Sequence, residues 1–252
     1  MTAALNISPC YNIILHGSGV YDGTEVHEAS ACLVHLSRAG SEVSIFAPNI
    51  DQMHTIDHTK GAPMEPNRNV LTESARVARG AVSSLSDLKA SDFDLLVIPG
   101  GFGAAKNLSD WAVKGPDSTV NEEVAKVIKD FHGTKKPIAM CCISPVLAAK
   151  VIPGCEVTVG QSSGDLWPYA ETCQGIEKVF IYYDTLIVMS LTNCHTTCFL
   201  NTCLYECHVD EANKLVTTPA FMYHDPSQGW HSVHLIFDGV GKMISAALAM
   251  CK

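Results

Sequence analysis

The chain has 252 residues, 47% hydrophobic and 17% charged, against roughly a quarter charged in an average soluble domain, which suits a globular fold with a large buried core. Lys and Arg total 17 against 26 Asp and Glu, a formal charge of −9; this lacks the basic surface that phosphate-backbone binding needs and argues against nucleic acid as the principal partner. Eleven cysteines are too few for a disulfide scaffold and odd in number, and neither a secretory signal nor an Arg-rich presequence pattern opens the chain, so reduced thiols in an intracellular compartment are expected.

In chain order, Tyr11 to Leu15 reads as a buried strand ending in His16-Gly-Ser-Gly19. Glu25 to Arg38 sets Val26, Ala29, Leu33 and Leu36 on one helical face, with Gly40 in the left-handed position that terminates a helix. Glu42 to Ala47 is the next strand, Phe93 to Pro99 a third and Lys136 to Cys141 a fourth. Before the fourth, Val120, Val124, Val127, Ile128 and Phe131 form a helical stripe, opened by a capping box at Thr119 and Glu122. Asn49 to Gly80 is polar and turn-rich. Thr185 to Tyr205 has no Asp, Glu, Lys or Arg, but its Thr, Asn, Ser and His content argues for an irregular insertion rather than a membrane span. The alternation predicts a doubly wound α/β domain with a mostly parallel sheet, helices on both faces and ligands at the C-terminal strand ends.

Three features carry chemistry. Pro137 to Lys150 is a strand that runs into a helix, with Ser144 placed to cap it and Pro145 at its first position. Cys142 then sits in the turn, where the helix terminus and free N–H groups lower a thiol's pKa and favour the thiolate, as in a nucleophile elbow. Two small core cysteines at 141 and 142 are the plainer alternative. Ile98-Pro-Gly-Gly-Phe-Gly follows the neighbouring strand, so the Gly101 N–H is placed to meet a reacting oxygen. Glu25 and Glu28 share a face of the first helix, within reach of the thiol as acid–base partners or as ordinary dipole-complementing acids.

Gly19 to Ala29, Arg68 to Arg76, Pro99 to Ser109, Cys142-Ile-Ser-Pro145 and Val216 to Met222, in this order along the chain, resemble the ElbB-like branch of the PfpI superfamily, whose animal members are the mitochondrial glutamine amidotransferase-like class 1 domain proteins. The resemblance runs over residues 10–175, then 206–222 and the last helix from Asp238. It implies one flavodoxin-like, class I glutamine amidotransferase-like domain over residues 1–252, interrupted by an irregular insertion at about 179–205. It further implies a catalytic set of Cys142, Glu28 and the Gly101 N–H, with His27 the best placed of His16, His27, His54 and His58, and a substrate site at Gly100, Glu25 and Ile143. The activity implied is cofactor-free and glyoxalase-type, on a small carbonyl metabolite, in the mitochondrion. A catalytically silent binding or redox-sensing module of the same fold is the alternative.

Ile143 stands where peptidase-type relatives carry His, and Glu156 to Gln161 offers none where glutaminases place theirs, so glutamine hydrolysis is disfavoured. Cys194, Cys198, Cys203 and Cys207 with His195 and His208 lack the paired C-x2-C spacing of structural zinc sites, and no metal is predicted. Superfamily relatives are commonly dimers; the apolar face of Val240 to Met250 suits a homodimer interface or core packing equally.

Overall fold

Strands buried on both faces read as continuous apolar runs rather than alternating ones, and the two central runs here, Leu95–Ile98 and Ile138–Cys141, are buried at every position. The computed structural model describes residues 9–40, 42–187, with backbone alone over 180–187, and 202–225, 227 and 233–251. Its elements in order are β1 (Cys10–Ile14), α1 (Val26–Arg38), β2 (Glu42–Ala47), β3 (Ile56–Asp57), β4 (Ala62–Pro63), α2 (Val70–Val77) and β5 (Ser83–Ser84). There follow β6 (Leu95–Ile98), α3 (Phe102–Lys106), α4 (Trp111–Lys114), α5 (Glu122–Gly133), β7 (Ile138–Cys141) and α6 (Pro145–Val151). The last are α7 (Ala170–Ile187), β8 (His208–Asp210), β9 (Leu215–Thr218) and α8 (Val233–Ala249).

The main sheet has the order β5-β2-β1-β6-β7-β9-β8, parallel except where β8 runs against β9. Its middle five strands, β2-β1-β6-β7-β9, follow the flavodoxin-like order 2-1-3-4-5. The chain leaves β1 for β2 on one side and returns to β6 on the other, so the crevice at the carboxyl ends of β1 and β6 is where ligands bind in such sheets. Tyr11 is paired with Val43 of β2 and Leu95 of β6. α1 packs on α8, and α8 covers β7 and β9, while α5 lies on β6, β7 and α6. The buried residues of α8, among them Val240, Met243, Ile244 and Ala247, thus serve the core.

Local structure departs from the sequence reading in three places. The cap of α5 is Asn121, whose Oδ1 accepts from the N–H groups of Glu123 and Val124 at 3.0 and 3.3 Å; its short side chain stands one residue before the first turn and displaces the Thr119–Glu122 box. The polar stretch 49–80 contains the antiparallel β3–β4 hairpin and α2, capped by Asn69. The expected insertion at about 179–205 begins as regular helix, since α7 runs on to Ile187; residues 188–201, with Cys194, His195 and Cys198, lie outside the described residues. Among the described residues no helix is long and apolar enough to cross a membrane, and no group of His, Cys, Asp and Glu is arranged to hold a metal.

Asn107, buried just after α3, ties together two loops at the strand ends. Its Nδ2 donates to the carbonyls of His16 and Asp22 at 2.9 and 2.8 Å, and its Oδ1 accepts from the Met53 N–H at 2.9 Å. Asn107→Ala leaves these groups without their partner, and at about 1–3 kcal/mol for a buried unsatisfied group the variant is expected to lose at least about 2 kcal/mol in urea denaturation. A loss within error of zero would show that the loops are held by other means.

Candidate active site

β7 ends at Cys141 and passes into α6 through Cys142, Ile143 and Ser144. Cys142 has φ +60°, a left-handed backbone that costs a non-glycine residue about 1–3 kcal/mol and persists only where its surroundings hold it. They do: its N–H donates to the Thr218 carbonyl at 3.0 Å. Ser144 stands at the cap position of α6 but makes no side-chain cap bond. Its hydroxyl donates instead to the Pro99 carbonyl, which also accepts from His16 Nε2 at 3.0 Å. Two donors therefore fix the end of β6 immediately before Gly100 and Gly101.

The loops after β1 and β6 are laced together by the Glu25 N–H to Gly100, Phe102 N–H to Val20 and Gly103 N–H to Gly23 carbonyl bonds, at 2.7–2.9 Å. Gly101 has φ +104°, and a Cβ there would strike the Glu25 N–H and the Gly23 carbonyl. At Gly100 a Cβ would overlap Cys142 Cβ and Glu28 Oε2 and lie 2.9 Å from Cys142 Sγ. Glycine at 100 is thus what allows backbone, carboxyl and sulfur to meet.

Glu28 is fully buried at the start of α1. Its Oε2 accepts from the Gly100 N–H at 2.9 Å and faces the Cys141 thiol at 3.6 Å, and its Oε1 accepts from the Phe221 N–H at 3.1 Å. Burial, reinforced by the neighbouring Glu25, lifts its pKa from 4.5 to about 8, so Glu28 is protonated at neutrality. Burial also raises the Cys142 thiol well above its ordinary value, as does charge on Glu28; the N–H groups of Gly101 and Ile143, hydrogen-bonded to the sulfur, pull the other way. The lowered thiol pKa predicted from the helix terminus is therefore reversed, because desolvation outweighs two N–H groups.

Residues 19–180 match the DJ-1/PfpI family. This chain belongs to the DJ-1/PfpI family. The mitochondrial ES1 protein homolog of Rattus norvegicus is 53% identical over 241 residues, covering 94% of this chain and 82% of that protein. The mitochondrial glutamine amidotransferase-like class 1 domain-containing protein 3 of Homo sapiens is 52% identical over the same length and shares. A crystal structure of an isoprenoid biosynthesis protein with amidotransferase-like domain from Ehrlichia chaffeensis superposes with a TM-score of 0.80 at 30% identity, covering 97% of this chain and 100% of that one.

Within this candidate site the residues named from sequence divide into two groups. Cys142, Gly101 and Ile143 line a cavity of about 690 Å³, whereas Gly100, Glu25, His27 and Glu28 do not. Gly100 and Glu25, expected from sequence as substrate contacts, lie behind that lining, where they support Glu28 and the start of α1. Glu25 caps α1, its Oε2 accepting from the Glu28 N–H at 2.8 Å, and its Oε1 lies 2.6 Å from His27 Nδ1. His16 is buried on Pro99, and His58 Nε2 accepts from the Tyr21 N–H at 3.2 Å. Three contributors escape the sequence reading: Cys141 against Glu28, Phe221 through its N–H, and Thr218 through its carbonyl. Each acts through main chain or a core thiol; the only sequence cue to the last two was the Val216 to Met222 motif, which carries no reactive side chain.

The burial of Glu28 sets a pH dependence of stability. Unfolded, its carboxyl ionises at 4.5; folded, at about 8, so its contribution is complete below 4.5 and lost as pH rises to about 8. His16, held neutral by burial with its pKa lowered from 6.5 to about 4, contributes fully above 6.5 and loses that contribution as pH falls to about 4. The two slopes oppose each other between 4.5 and 6.5, leaving a net loss from 6.5 to 8. In Glu28→Gln thermal unfolding is expected to show no decline over that upper interval; an unchanged decline there would remove Glu28 as its source. Gly100→Ala is expected to abolish alkylation of Cys142 or to destabilise the fold by several degrees in Tm; a variant normal in both would refute the close approach described here.

Proposed function

We propose that this chain is a cofactor-free, cysteine-dependent enzyme of reactive carbonyl compounds, of glyoxalase type, with Cys142 as nucleophile and Glu28 as its proton partner. The observation that carries the reading is the junction of a left-handed Cys142 with a protonated buried carboxyl and the Gly101 and Ile143 N–H groups, at the floor of a cavity. The productive form of the pair has one proton for two sites. With that proton on Glu28, the sulfur is anionic and adds to the aldehyde carbon, forming the S–C bond; the displaced carbonyl electron pair becomes an oxyanion, met by the two N–H groups.

Water in the cavity protonates that oxygen, then carries a proton from the former aldehyde carbon to the neighbouring ketone carbon through an enediol, as the new hydroxyl's proton passes to the ketone oxygen. The product is a 2-hydroxy thioester. The hydroxide left by that water hydrolyses the thioester, releasing the 2-hydroxy acid and the Cys142 thiolate, while the pair's one proton has stayed on Glu28. One carbon is oxidised and its neighbour reduced, so a ketoaldehyde plus water balances the acid and no external redox agent is consumed. The mitochondrial names of the rat and human relatives support the same compartment for this chain.

Methylglyoxal conversion to lactate tests the reading. The wild-type rate should rise as pH passes through about 8, where the pair loses its first proton. Cys142→Ser should abolish turnover, and Glu28→Gln should lower kcat by about 10²–10⁴-fold and erase the inflection. Turnover that survives Cys142→Ser would sink the proposal. Failure with methylglyoxal and also with the bulkier phenylglyoxal, together with reversible oxidation of Cys142 in the wild type, would assign the chain to the redox-sensing alternative.

A further inference from the structure

The cavity over Cys142 is far larger than the smallest ketoaldehyde requires. At roughly 30 Å³ per non-hydrogen atom, the share of a water molecule in the liquid, a five-atom ketoaldehyde occupies about 150 Å³, while the cavity has about 690 Å³. Its walls are aromatic: Tyr21, Phe102, Trp111, Tyr169 and Phe221 all contribute. Phe102 and Tyr169 meet edge-to-face at 5.7 Å between ring centroids, which presents fixed π surfaces to the interior. A three-carbon substrate would leave most of these walls against water.

The charge of the lining is also unlike that of the chain. The protein carries −9 overall, yet the fully charged side chains on the cavity are Lys106 and Lys178 against Glu171. Lys106 is half-buried. Its Nζ donates to the Tyr21 carbonyl at 2.7 Å and stands 5.5 Å from the Phe102 ring centre, which leaves two of its three N–H donors for a ligand. Asp22, the carboxylate that acts on it, is engaged elsewhere: its Oδ2 accepts from the Ile56 N–H at 2.6 Å. Burial lowers the Lys106 pKa more than Asp22 raises it, the condition of a cation short of counter-charge.

We infer that the substrate is a reactive carbonyl compound with an aromatic or similarly bulky apolar body ending in an anionic group, carboxylate or phosphate, seated with its carbonyl at Cys142, its body on the aromatic walls and its anion at Lys106. This rests on the proposed nucleophilic role of Cys142 and names the substrate class for that site. Small ketoaldehydes are then poor surrogates that use only the floor of the cavity.

Site-directed alkylation separates the two claims without requiring turnover. Iodoacetamide, iodoacetanilide and 4-(iodoacetamido)benzoate each place an electrophilic carbon on the sulfur and lose iodide, and their rates at Cys142, read by peptide mass spectrometry, are divided by their rates with glutathione. The anilide is expected to exceed iodoacetamide by about tenfold through contact with the aromatic walls, and the benzoate to exceed the anilide by about a further fivefold through Lys106. In Lys106→Met the benzoate-to-anilide ratio should fall to about one, and in Lys106→Arg it should persist, since the charge is kept. Equal normalised rates for all three reagents in the wild type would overturn the substrate class and leave the nucleophile standing. No labelling of Cys142 above that of the buried Cys155 would overturn both. A benzoate preference that survives Lys106→Met would remove Lys106 as the anion's partner.

Discussion

Glu28 is a carboxyl group taken wholly out of water, and the carboxyl ends of three parallel strands are arranged around that cost. A buried acid is tolerable when it is neutral and its oxygens have donors. Gly100 after β6 and Phe221 after β9 each supply a main-chain N–H, and Cys141 at the end of β7 supplies a thiol. Take the acid away and these donors face one another with nothing between them. The loops, the elbow and the sulfur are positioned by their common need to satisfy this one group.

Close approach of main chain makes the arrangement possible. The β1–α1 and β6–α3 loops share three main-chain hydrogen bonds, which demands residues without side chains at the crossing. Gly100 and Gly101 answer two separate requirements. One makes room for Cys142 and Glu28, and the other adopts a backbone that carries its N–H toward the sulfur. Rigidity follows, because neither loop can move without breaking bonds to its neighbour.

The doubly wound class was legible in the sequence because strands β1, β6 and β7 are buried apolar runs, β2 alternates exposed Glu42 and Ser44 with Val43 and Ile45 before a buried end, and α1 and α5 carry clean helical periodicity. The short edge strands β5 and β8 and the hairpin β3–β4 were not, since two or three residues give no period to read. At the site, Cys142, Glu28 and Gly101 stood out because a thiol, an acid and a glycine at strand ends are chemically distinctive. Thr218 and Phe221 did not, because a carbonyl or an N–H belongs to every residue and only the tertiary fold decides which one matters. The protonation of the pair was misjudged for a related reason: a helix terminus is visible in a sequence, but the depth of burial that opposes it is not.

The hydrogen bond from Phe221 to Glu28 joins residues 193 apart, and Cys142 leans on Thr218, a shorter but still long-range contact. Contacts of such sequence separation form late, after the loop between them has been closed. During synthesis, therefore, the strand carrying Cys142 leaves the ribosome well before β9 and the turn that follows it. Until that last strand docks, the thiol has neither its backbone clamp nor its finished acid partner. The setting of Cys142 is in this sense acquired only on completion of the sheet, and a nascent or C-terminally truncated chain holds an ordinary cysteine at the same position.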